Sequence, residues 1–120
     1  MKILVVDDEK LNRLVIVRLL EGAGYECDVV ETGEEALDRV AETRYDAILM
    51  DNLLPGIDGV ETTRQIRART DLEQPLIFGF SGYIDAARTR DSLSAGMDAI
   101  LEKPLSLDAL SAAIKRHRAP

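Results

Sequence analysis

Asp51 follows four apolar residues, Ala47-Ile48-Leu49-Met50, and precedes Asn52-Leu53-Leu54-Pro55-Gly56. The apolar run reads as a short strand buried on both faces. Its terminal carboxylate therefore stands where open parallel sheets gather ligands and chemistry, just beyond the carboxyl end of a strand. Three further strand ends carry reactive groups: Ile3 to Val6 leads into Asp7-Asp8-Glu9, Leu76 to Phe80 into Ser81, and Asp98 to Glu102 into Lys103. Each has an ordinary explanation taken singly, Asp51 or Ser81 as a turn residue, Asp8 as a helix cap and Lys103 as a solvated cation. At matching ends of central or adjacent strands they instead predict one shared site.

Three carboxylates within roughly 4–6 Å of one another repel by a few kcal/mol per pair at an effective dielectric near ~20. A partly buried cleft does not tolerate that without a bound positive charge. Lys103 supplies one. The chain has one Cys, Cys27, and one His, which is too few soft ligands for zinc, so any metal is held by oxygen. That chemistry suits Mg²⁺, with Mn²⁺ as a substitute. A carboxylate beside such an ion can attack phosphorus and form an aspartyl phosphate. Lys103 would neutralise the equatorial phosphoryl oxygens and Ser81 would hydrogen-bond one of them. No general base is required, because the nucleophile is already ionised.

The elements that must position these groups alternate along the chain. Leu11, Leu14, Val15 and Arg18/Leu19 recur at helical spacing after the first strand, and Gly22 and Gly24 stop that helix. Cys27 to Val30 is a strand with Asp28 in its middle, which marks an edge position. Thr32 or Gly33 opens a second helix, with Ala36, Leu37, Val40 and Ala41 as its inner stripe. After the Asp51 strand, Asp58 caps a third helix that buries Val60, Thr63 and Ile66 and ends near Arg69. A helix from about Asp85 to Ala95 is poor in large apolar residues, with Leu93 as main anchor beside Ala86 and Ala87. Its attachment should be weak, which makes it the expected mobile element. The last helix carries Leu107, Leu110, Ala113 and Ile114. Five strands alternating with five helices predict an α/β fold, a parallel sheet covered on both faces, and one domain spanning residues 1–120.

Composition narrows the function classes. The chain is 46% hydrophobic and 31% charged, as expected of one compact domain. No apolar run approaches the ~20 residues needed to cross a bilayer, so a cytoplasmic protein without membrane contact is expected. The net charge of −7 and the dispersed arginines argue against direct nucleic-acid binding. Lys115-Arg116-His117-Arg118 reads as a solvated helix terminus.

Asp7-Asp8, Asp51, Pro55, Asp58-Gly59, Ser81 and Lys103-Pro104 together resemble the receiver domains of two-component response regulators, over essentially the full chain. The resemblance implies a flavodoxin-like doubly wound sheet of order 2-1-3-4-5 and a cis peptide before Pro104. It also implies that Asp51 is the phosphoacceptor, that Asp8, Asp51 and the backbone carbonyl of Leu53 contact Mg²⁺, and that Asp7 acts through water. Ser81 matches the switch hydroxyl and Lys103 the phosphate contact. The implied donor is a sensor histidine kinase or a histidine phosphotransfer protein. Phosphorylation would alter the surface of helix four, strand five and helix five for a downstream protein, the chain being a monomer or a weak homodimer when phosphorylated. It would promote its own phosphorylation and turn over no separate substrate. Asn12-Arg13 and Met50-Asp51-Asn52 resemble receivers of hybrid kinases and phosphorelays. Two departures stand out: Ile100 replaces the usual switch aromatic, and Gly82 follows the hydroxyl, with Tyr83 next to it as a substitute aromatic.

Three other readings remain. A degenerate receiver would act as a phosphorylation-independent scaffold. A haloacid-dehalogenase-type phosphatase would need a D-x-D arrangement after strand one, where Asp7 is followed two residues later by Glu9. A flavodoxin-like FMN carrier would need a phosphate loop where Asp7-Asp8-Glu9 would repel phosphate.

Overall fold

The computed structural model describes residues 1–118. The elements run β1 (Lys2–Val6), α1 (Lys10–Gly22), β2 (Glu26–Val30), α2 (Gly33–Glu42), β3 (Ala47–Asp51), α3 (Gly59–Arg67), β4 (Leu76–Ser81), α4 (Ala86–Ala95), β5 (Ala99–Glu102) and α5 (Leu107–His117). All strands are parallel, in the order β2-β1-β3-β4-β5. This is the flavodoxin-like doubly wound arrangement, and its order reverses between β1 and β3.

Alternation along the strands divides the core into two layers. Ile3, Val5, Leu49, Phe78 and Phe80 face Ile16 and Leu20 of α1 and Leu110 and Ile114 of α5. Leu4, Val6, Ile48, Met50 and Ile77 face Ala36 and Val40 of α2 and Ile66 of α3, with Met97 in the same layer. The β3 run AILMD is buried at every position, because helices cover it from both sides. Thr32, Asp58, Asp85 and Ser106 each accept the backbone N–H three residues on, so four helices start at side-chain caps. Edge strand β2 keeps Asp28 satisfied: Tyr45 donates its hydroxyl to Oδ2 at 2.6 Å, with Lys2 and Arg39 at 3.7 and 3.5 Å.

Several inner faces differ from the spacing-based expectation. In α1 the buried residues are Ile16 and Leu20, while Leu11, Leu14, Val15 and Leu19 are exposed. This helix is apolar around most of its circumference, so period alone does not choose the stripe. Ala41 is exposed, Val60 is half-buried, and Thr62 joins Thr63 and Ile66 on the inner side of α3. In α4, Leu93 points outward with Ala86 and Ala87, and the anchors are Ser92 and Ala95.

Candidate functional site

The carboxyl ends of β1, β3, β4 and β5 place Asp7, Asp51, Ser81 and Lys103 at one edge of the sheet, at the reversal of strand order. Asp7 and Asp51 are 1% and 7% exposed, whereas Asp8 beside them is open to solvent. One carboxylate oxygen from each of the three lies within 4.8 Å of the others. Lys103 reaches over them from the cis Lys103–Pro104 peptide. Its Nζ is 3.3 Å from Asp51 Oδ2, 3.8 Å from Asp7 Oδ2 and 5.4 Å from the centre of the Phe80 ring.

Hydrogen bonds fix which oxygens remain available. Asp51 Oδ1 accepts the Leu53 N–H at 3.1 Å, and Asp7 Oδ1 accepts the Glu9 N–H at 2.9 Å. Asp7 Oδ2 is buried with no hydrogen-bond partner, the lysine at 3.8 Å being an electrostatic neighbour only. A buried, unpartnered carboxylate oxygen aimed into a cluster of carboxylates is the donor chemistry that a hard divalent cation satisfies. The residues present therefore fit Mg²⁺. Burial is the main reason that the Asp51 pKa lies above its ordinary value. Charge on Asp7 adds to the rise, while the Leu53 N–H and Lys103 oppose it. Burial, rather than the expected mutual repulsion, is thus the leading effect on the central carboxylate.

Ser81 closes the site on the α4 side. Its hydroxyl donates to the Tyr83 carbonyl at 2.8 Å and accepts the Tyr83 N–H at 3.2 Å. The Tyr83 ring lies outside, 64% exposed and 5.6 Å from the Arg88 guanidinium. Leu53 turns its side chain to solvent and meets the site through its backbone. Gly59 opens α3 directly against the Asp51 backbone, where a Cβ would collide with the Asp51 carbonyl oxygen.

Sequence reasoning missed Arg13 as part of this framework. Its Nη1 donates to the Asp7 carbonyl at 2.9 Å and its Nη2 pairs with Glu31 at 2.9 Å, tying the acidic loop to the end of β2. The available signal was its place one turn into α1, six residues after Asp7. Asn52 was missed as well; its Oδ1 is also buried and unpartnered.

Known proteins resemble this chain in both fold and sequence. Residues 3–115 match the family model for the response regulator receiver domain. The chain is 37% identical over 110 residues to the sensor protein EvgS of Escherichia coli K12, covering 92% of this chain and 9% of that protein. It is 36% identical over 115 residues to the response regulator MprA of Mycobacterium avium, covering 96% of this chain and half of that protein. Among solved structures, the receiver domain of a sensor histidine kinase from Pseudomonas aeruginosa PAO1 superposes with a TM-score of 0.86 at 35% identity. The match covers 96% of this chain and 94% of that one, whose active-site cleft coordinates a magnesium ion. With strand order and sequence in agreement over nearly its whole length, the chain belongs to the response regulator receiver domains of two-component signalling.

Proposed function

We propose that this receiver is a phosphoacceptor switch in which Asp51 takes a phosphoryl group from a phosphohistidine donor in a Mg²⁺-dependent reaction. The observation that carries the reading is Asp51 itself: a strand-end carboxylate held by the Leu53 N–H and Lys103, beside the orphaned Oδ2 of Asp7. Asp8, Asp51 and the Leu53 carbonyl would hold Mg²⁺, or Mn²⁺ in its place, with Asp7 acting through water. When bound, the ion supplies charge neutralisation between the carboxylates and the incoming phosphoryl oxygens. An Asp51 oxygen forms the new P–O bond. The donor's P–N bond breaks with its electron pair left on the imidazole nitrogen. Lys103 offsets charge on the transferred group. For the Ser81 hydroxyl to donate to a phosphoryl oxygen it must release the Tyr83 carbonyl, which loosens the loop leading into α4. The α4-β5-α5 surface then changes its affinity for a downstream protein.

A protein donor must cover the mouth of the site, and the sheet edge offers it an apolar apron. Leu11, Leu14, Val15 and Leu19 are exposed on α1. A groove of about 290 Å³ beside them, lined in part by Val15, Leu19, Pro104 and Leu105, shares Lys103 with the site. That continuity favours the phosphohistidine-bearing protein as occupant. No described helix is long and apolar enough to cross a membrane. The chain promotes its own phosphorylation and turns over no separate substrate.

Intact mass after incubation with phosphoramidate should show one added phosphoryl group that requires both Mg²⁺ and Asp51, and none in Asp51→Asn. Absence of uptake from phosphoramidate and from a phosphohistidine protein alike would instead support the phosphorylation-independent scaffold. Val15→Glu should slow uptake from the protein donor while leaving uptake from phosphoramidate unchanged; equal slowing of both would remove the apron from the reading.

A further inference from the structure

Asn52 follows Asp51 directly, and its side-chain oxygen lies beside Gly79 of β4, on the same side as Met97 Sδ. Its Oδ1 is buried without a hydrogen-bond partner. Buried amide oxygens are nearly always paired, so this one is exceptional. The chain has also removed bulk around it. Gly79 lies beside it on β4, and a Cβ there would come within 3.6 Å of Asn52 Oδ1 and 2.8 Å of Met97 Sδ. Ile100, across from Gly79 on β5, brings no polar atom. The nearest gap is a cleft of about 170 Å³ between α4 and the β3–α3 connection, lined by Asn52, Leu53, Arg88 and Ser92 among others. Ser92 is 1% exposed and is the buried polar residue of α4.

Helix α4 is held firmly at one end only. Arg67 Nε donates to the Gly96 carbonyl at 2.9 Å, Nη1 to the Pro75 carbonyl at 2.7 Å, and Nη2 to Asp98 at 3.0 Å. At the other end Ala86 and Ala87 are exposed. Ser92 lies four residues from that end, about 6 Å along the axis, so the small shift that a swing about Gly96 gives its hydroxyl falls within the cleft it shares with Asn52.

We propose that Asn52 is a positioning residue that couples Asp51 to α4. When phosphorylation shifts the strand end, α4 swings about Gly96 and the Ser92 hydroxyl pairs with the Asn52 amide. This inference rests on Asp51 being the phosphoacceptor. A hydroxyl both donates and accepts, so the pair forms whichever way the amide is turned. The unpaired oxygen penalises the present arrangement and is relieved in the other, which is the differential a two-state element needs.

The test uses the full chain, its Asn52→Ala and Ser92→Ala variants and the double variant, with Mg²⁺ and phosphoramidate. Intact mass reports uptake, and amide hydrogen exchange over residues 86–95 reports α4. Wild type should exchange about fivefold more slowly in α4 once phosphorylated, the effect of one net hydrogen bond. Each single variant should take up phosphoryl normally yet lose that slowing, and the double variant should lose no more. Alanine is a strong helix former, so Ser92→Ala should fold. Normal uptake with the α4 slowing intact in either single variant, or further loss in the double variant, overturns the coupling alone. No uptake by wild type overturns the phosphoacceptor reading and the coupling together.

Discussion

Helices α3 and α4 differ by one residue in length and begin alike, each with an aspartate, Asp58 or Asp85, accepting the backbone N–H three residues on. Their attachment is opposite. Helix α3 buries Gly59, Thr62, Thr63 and Ile66, and its first residue lies against the Asp51 backbone. Helix α4 buries only Ser92 and Ala95 and leaves Leu93 44% exposed. A switch needs one side of its site fixed and the other free to answer. Here α3 packs against the Asp51 strand, and α4, with few buried apolar residues, should have the lower local stability.

The contrast breaks most clearly under truncation. Ile66→Ala, at a site with no solvent exposure, should destabilise by about 2–5 kcal/mol in urea unfolding. Leu93→Ala should stay within about 0.5 kcal/mol of wild type. Equal losses would mean that α4 is anchored as firmly as α3.

Arg67 joins the two helices, and Arg67→Ala should cost about 2–3 kcal/mol by leaving Asp98 and the Gly96 and Pro75 carbonyls without their cation. Hydrogen exchange should then quicken at the Gly96 end of α4 more than within α3. A uniform change would deny Arg67 its role as the fixed end.

Glycines sharpen the comparison on a smaller scale. Gly59→Ala forces a methyl group onto the Asp51 carbonyl oxygen and should lower stability by about 1–3 kcal/mol. Gly82, at the start of the loop into α4, has open space within 4 Å of its would-be Cβ. Gly82→Ala should therefore be neutral or stabilising by up to about 1 kcal/mol, through the unfolded chain.

The smallest effect concerns charge at the fixed strand. Burial raises the Asp51 pKa above its ordinary value of 3.8, so the folded chain binds that proton more tightly than the unfolded chain. Metal-free stability should accordingly fall as pH rises from below 3.8 through the folded value, and remain lost above it. Asp51→Asn should flatten that slope and raise the melting temperature of the metal-free protein near neutral pH. A lower melting temperature would contradict the cost assigned to the buried carboxylate.

The strands, their carboxyl-end residues and the Asp58 cap were legible in the sequence because each depends on a local pattern. A four-residue apolar run such as Ala47 to Met50 has few alternatives to a buried strand, and Asp58 three residues before Glu61 caps a helix wherever that helix packs. Asp7, Asp8, Asp51, Ser81 and Lys103 followed from strand ends alone. Packing decided what local pattern left open. With apolar residues on most sides of α1, only docking onto the sheet selected Ile16 and Leu20 and left Leu11, Leu14, Val15 and Leu19 outside. Arg67 meets Gly96 and Asp98 across some thirty residues of chain, and the unpartnered Asn52 Oδ1 is buried beside Gly79 of a neighbouring strand. Periodicity reports which residues share a face. Which face is buried, and which polar atom is left without a partner, depends on atoms from distant segments that only the folded chain brings together.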